Sequence, residues 1–141
     1  MKELTPRQTE FFHARDRRIN ILEGSVSSGK TFASLCKWGW VVAMSPMDCT
    51  FLMVGKTQTT LKRNCLNPMQ SYFGEDNFTF SMSSKTGRLF GHLIYLEGAD
   101  NEQAENKIRG MTLDGAYVDE ATLVPEGFFK MLLSRLRTAG A

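Results

Sequence analysis

Apolar residues along this 141-residue chain fall into runs with two different periods. Ile19-Asn20-Ile21-Leu22-Glu23 and Thr50-Phe51-Leu52-Met53-Val54 are short and apolar at nearly every position. That pattern predicts strands covered on both faces, as in a parallel sheet. Between them, Phe32, Ala33, Leu35, Cys36, Trp38, Trp40, Val41 and Val42 are apolar nearly all round a helix spanning Thr31 to Ala43. This predicts a buried helix in which both tryptophans are packing residues. Ser45-Pro46-Met47-Asp48 supplies a turn. A second helix is predicted from Thr57 to about Phe73, with a break or kink at Pro68. Strand, helix, strand, helix in that order predicts an α/β fold.

From Phe78 the period shortens to two. Phe78-Thr79-Phe80-Ser81-Met82 and Arg88-Leu89-Phe90 alternate, and His92-Leu93-Ile94-Tyr95-Leu96 is a firmer strand. With Ser84-Lys85-Thr86-Gly87 as a turn, the segment predicts an antiparallel hairpin between parallel units. Residues from Asp100 to Lys107 are polar and predict a loop leading into a short helix. Gly115-Ala116-Tyr117-Val118 predicts a short strand, and Pro125 to about Leu136 an amphipathic helix. At the other end, Thr5 as cap and Pro6 at the first position predict a helix from Arg7 to about Ala14, with Phe11 and Phe12 in the core.

The junction after the first strand carries the candidate chemistry. Gly24-Ser25-Val26-Ser27-Ser28-Gly29-Lys30-Thr31 fits the P-loop pattern and lies between a predicted strand and a predicted helix. A helix N-terminus leaves backbone N–H groups unpaired, and these, with the helix dipole, suit a polyphosphate. Gly24 and Gly29 permit the tight turn, Lys30 can reach the β- and γ-phosphates, and the Thr31 hydroxyl can ligate Mg²⁺.

Composition excludes several alternatives. Cys36, Cys49 and Cys65 are odd in number and lack C-x-x-C spacing, which argues against a disulfide framework or a zinc site and for a reducing compartment. The N-terminus has no signal-peptide pattern, and no apolar run is long enough to span a membrane, so a soluble, cytoplasmic protein is expected. A net charge of +2 does not argue for nucleic acid. Arg15-Asp16-Arg17-Arg18, Lys62-Arg63 and Arg135-Leu136-Arg137 read as solvated surface. His92 has no second ligand at metal spacing and reads as structural.

A P-loop needs a carboxylate to support the metal and another to orient water. Asp119 and Glu120, at the end of the last predicted strand, offer both: Asp119 for Mg²⁺ and Glu120 for the attacking water. Gln8 could read an adenine edge or sit exposed on its helix. Arg109, beside Gly110, could stabilise a transferring phosphoryl group, in this subunit or the next; a surface arginine is the plainer reading. Lys56 could face nucleotide or nucleic acid.

Taken together, Leu4-Thr5-Pro6-Arg7-Gln8, Glu23 through Thr31, Lys107-Ile108-Arg109-Gly110 and Gly115 through Ala121 resemble the ATPase domain of the large terminase subunit of tailed bacteriophages. The resemblance runs in the same order over nearly the whole chain. It implies a P-loop NTPase of the ASCE type, with a mainly parallel sheet, flanking helices and an antiparallel hairpin insertion. It implies an ATP-driven motor that moves double-stranded DNA into a procapsid. Such a motor works as a homo-oligomeric ring, with the portal protein and the small terminase subunit as partners. By position, it implies that Gly24, Ser25, Val26, Ser27, Ser28, Gly29, Lys30 and Thr31 hold the ATP phosphates. Thr31 and Asp119 would hold Mg²⁺, Glu120 would be catalytic, Gln8 would contact adenine, and Arg109 would reach the next subunit's nucleotide.

Two departures stand out. Many relatives carry an arginine inside the loop, where this chain has Val26 and serines, which shifts charge stabilisation onto an arginine elsewhere, such as Arg109. Residues 1–141 are also expected to be a partial ATPase domain, with the later strands and the nuclease domain absent. That predicts an exposed sheet edge and marginal stability, aggregation or need of a partner. A helicase-like translocase and a nucleotide-binding remnant without turnover are the alternative readings; Ala121-Thr122 after the acidic pair differs from the Ala-His or Ala-Asp common in helicases.

Overall fold

The computed structural model describes residues 19–21, 28–119 and 124–135. The lead-in helix predicted before Ile19 lies outside these residues. Four parallel strands are β1 (Ile19–Ile21), β2 (Thr50–Gly55), β5 (His92–Gly98) and β6 (Gly115–Val118). Two antiparallel strands, β3 (Phe78–Ser81) and β4 (Thr86–Leu89), extend the sheet from β5. The order across the described sheet is β1-β6-β2-β5-β4-β3, with β1 directly beside β6. This is the mostly parallel α/β sheet with a hairpin that the sequence predicts.

Both faces of the sheet are covered, which explains the unbroken apolar run of β2. Phe51 and Met53 enter one core with Leu35, Trp38 and Val42 of α1 (Ser28–Ala43). Leu61, Cys65, Leu66 and Met69 join the same core from a second helical run. Leu52 and Val54 enter the opposite core, with Ala104 and Ile108 of α4 (Glu102–Arg109) and Phe128 and Leu132 of α5 (Glu126–Arg135).

The second helical run is one continuous stretch in three parts: α2 (Gln58–Leu61), a π-helical segment (Lys62–Leu66) and α3 (Asn67–Phe73). Thr57 caps it through a reciprocal bond pair with Thr60. Proline lacks an N–H and clashes with the carbonyl four residues back, here that of Asn64. The wide turn sits at that point, with the Asn67 N–H bonded five residues back to Lys62 O. Pro68 thus changes the helix type where the sequence predicts a break.

Three other expectations are corrected. The polar stretch from Asp100 is mostly helix, because Asn101 caps α4, Glu102 and Glu105 occupy its first turn, Lys107 and Arg109 its last, and Ala104 and Ile108 are buried one turn apart. The hairpin turn is residues 82–85, while Thr86 and Gly87 already pair with Ser81 and Phe80 in the ladder. Trp40 does not pack: it is 44% exposed, and Trp38 takes the core position at 1%. Met44 at the end of α1 is also exposed, so that end of the helix carries an outward apolar face.

His92 is buried and structural. Its Nε2 faces the carbonyls of Ser45 at 2.9 Å and Pro46 at 3.1 Å, which requires the proton on Nε2 and ties the turn after α1 to β5.

Candidate functional site

The candidate site lies at the C-terminal rim of the parallel strands, where ligands of open α/β sheets bind. β1 and β6 end side by side there, with Ile21 opposite Val118. The backbone of the next residue, Asp119, is fixed by its N–H donating to Val54 O at 2.8 Å. Asp119 is 1% exposed. Along α1, Ser34 lies near Tyr117, and Trp38 packs against Tyr117 and Phe51 at ring separations of 5.8 and 5.6 Å. The helix therefore runs from the Asp119 rim back along β6 and β2. Its first turn, which contains Ser28, Gly29 and Lys30, belongs to the same rim as Asp119.

Alternate residues of a strand share a face, so Asp119 follows Tyr117 toward the side occupied by α1 and the π-helical segment. From that segment, Asn64 Nδ2 donates to Asp119 Oδ2 at 3.2 Å. Sequence reasoning missed Asn64. The contact joins residues 55 apart, and no pattern in the sequence around Asn64 marks it.

Beneath the rim is a buried polar group. Ser34 Oγ, Trp38 Nε1 and Tyr117 OH are enclosed without a hydrogen-bond partner among the described residues. Burial pushes the Tyr117 hydroxyl well above its usual range; Cys65 adds to the effect, Ser34 opposes it, and Asp119 adds a smaller share. Tyr117, held neutral, thus lies two residues before Asp119 on the same face of β6.

The other expected site residues are placed unevenly. Ser28, Gly29, Lys30 and Thr31 are described as backbone of α1. Gln8, Gly24, Ser25, Val26, Ser27 and Glu120 lie outside the described residues. Arg109 is not brought to Asp119. It ends α4, which runs back from the rim, and pairs with Glu105 at 3.3 Å on an exposed surface. Lys56 directly follows β2 at the rim and is exposed.

The residues present fit Mg²⁺ held together with nucleotide. Among the described residues no three His, Cys, Asp or Glu side chains gather as a cage. Mg²⁺ bound with nucleotide needs none, taking one or two carboxylates, phosphate oxygens and waters. Asp119 supplies a buried carboxylate beside a helix N-terminus that suits phosphate.

No family model matches the sequence, and no curated protein matches it significantly. The fold is shared with solved structures of the large terminase from a thermophilic bacteriophage. One crystal form matches with a TM-score of 0.78 and 24% identity over 95% of this chain. The complex with ATP-γ-S matches with a TM-score of 0.75 and 24% identity over 99%. The complex with ADP matches with a TM-score of 0.71 and 23% identity over 94%. In each, this chain spans 36% of the length of the phage protein. No helix among the described residues is long and apolar enough to cross a membrane.

Proposed function

We propose that this chain is the nucleotide-binding core of an ATP-driven DNA-packaging motor of the large terminase kind. One observation carries the proposal: a buried aspartate, Asp119, ends the strand beside β1, at the rim from which a P-loop sequence leads into α1. The fold shared with a large terminase that has been solved with ADP and with ATP-γ-S supports it.

In this reading, residues from Gly24 to Thr31 cradle the ATP phosphates, and Lys30 holds the γ-phosphate by charge. Mg²⁺, when bound, would neutralise phosphate charge, and Thr31 and Asp119 would hold it. Glu120 orients a water for in-line attack on the γ-phosphorus and accepts its proton. The bond from that phosphorus to the β–γ bridging oxygen breaks, and ADP and inorganic phosphate leave. Gln8 reads the adenine. Arg109, on the exposed end of α4, serves a neighbouring subunit's nucleotide. The ring, double-stranded DNA, the portal protein and the small terminase subunit belong to the same proposal, as does the bacterial host cytoplasm.

The test is nucleotide binding and phosphate release in Lys30→Ala and Glu120→Gln. The first should weaken ATP binding about tenfold or more; the second should bind ATP and lose turnover. Normal hydrolysis by Glu120→Gln would overturn the role of Glu120. Release that rises steeply with protein concentration would support sites completed between subunits.

A further inference from the structure

We infer that Asn64 is a positioning residue for the metal-binding carboxylate: its amide sets the Asp119 side chain for Mg²⁺. The inference rests on the nucleotide-site reading above and extends it to a residue outside the P-loop and the acidic pair.

Four observations carry it. Asn64 Nδ2 donates to Asp119 Oδ2 at 3.2 Å, within ordinary hydrogen-bond range. The bond spans 55 positions and joins the π-helical segment to the end of β6. Its geometry also depends on an uncommon backbone, since one wide turn precedes Pro68 and rotates the following helix relative to a regular one. Asp119 itself is buried, as are Cys65 and Leu66, which follow Asn64, while Asn64 is half-buried.

The chemistry of the donor also matters. A neutral amide fixes a carboxylate oxygen without cancelling its charge, so the negative charge stays available to a cation. An arginine or lysine in that place would compete for it. Partners that orient a metal-binding carboxylate are typically worth about 10- to 100-fold in metal affinity.

The test is calorimetric titration of ATP-γ-S into the whole chain at a series of MgCl₂ concentrations, and in EDTA. Asn64→Leu keeps the approximate volume and removes the donor; Asn64→Ala suits a helix and serves if the leucine disturbs folding. Both should raise the Mg²⁺ concentration at half-effect about tenfold or more, with affinity in EDTA unchanged. A merely structural role would lower the melting temperature and leave the Mg²⁺ midpoint in place, and that result overturns the inference while the nucleotide-site reading stands. Loss of fold in both variants overturns it too, because it assigns Asn64 to the core. A wild-type chain whose ATP-γ-S binding ignores Mg²⁺ overturns both the inference and the metal assignment of Asp119.

Discussion

Gly55 and Gly98 lie opposite each other at the last rung of the β2–β5 ladder. A Cβ on Gly55 would stand 2.8 Å from Leu61 Cβ, and one on Gly98 would stand 2.8 Å from the Gln58 backbone nitrogen. Together they let the first turn of α2 sit directly on the end of the sheet. The helical run that carries Asn64 starts from that seat.

Gly98→Ala should therefore destabilise the fold, because the nearest obstructing atom is backbone and cannot swing aside. The expected cost is about 1–3 kcal/mol by urea denaturation. Nucleotide binding should weaken with it, because the displaced turn leads into the segment that holds Asp119.

The two tryptophans of α1 should behave oppositely. Trp38→Ala removes a ring that packs edge-on to Phe51 and tilted on Tyr117, and should cost about 3–5 kcal/mol. Trp40→Ala, at a position 44% exposed, should cost about 1 kcal/mol or less. Thermal melts of both variants check the contrast.

Their difference shows what the sequence could and could not settle. An all-apolar helix announces burial, but which side stays open depends on what packs against it. In this fold the sheet and the helical run from Gln58 cover Trp38 and leave Trp40 outside. The strands were legible because two-sided burial leaves an unbroken apolar run, as in β2, and one-sided exposure leaves alternation, as in Phe78 to Ser81. Helix α4 was less legible because only Ala104 and Ile108 mark its buried face. At the candidate site, the strand leading to Asp119 was readable, whereas the contact of Asn64 with Asp119 arises only through tertiary structure.

Tyr117 gives a prediction about pH. Its folded pKa is raised, chiefly by burial, above the ordinary value near 10. The unfolded chain then loses this proton first as pH rises, so the stability contribution is intact below about pH 10 and is lost progressively above it. Tyr117→Phe removes that slope. It also deletes a hydroxyl without a partner among the described residues, so stability at neutral pH should change by less than about 1 kcal/mol. Urea midpoints from about pH 7 to 11, spanning the ordinary tyrosine range, test both parts.

On the opposite face of the sheet, Lys107 Nζ lies 3.0 Å from Glu97 Oε2, with the Glu97 side chain 1% exposed and that of Lys107 40%. Lys107→Ala leaves a buried carboxylate without this partner and should cost about 1–3 kcal/mol. Adding Glu97→Gln should recover part of the loss, measured as a double-mutant cycle.

Strand β5 is bonded in two directions: parallel to β2 over six residues, from Thr50–Leu93 to Gly55–Gly98, and antiparallel to β4 on its other edge. The 82–85 turn lies at the same end of the sheet as Asp119, since Leu96 N–H, near the end of β5, donates to Lys85 O. A load hung on that turn pulls along the strands, so the rungs share it in shear and do not open one by one like a zip. The hairpin is thereby anchored stiffly to the parallel sheet, with little slack between its turn and the ends of β2 and β5.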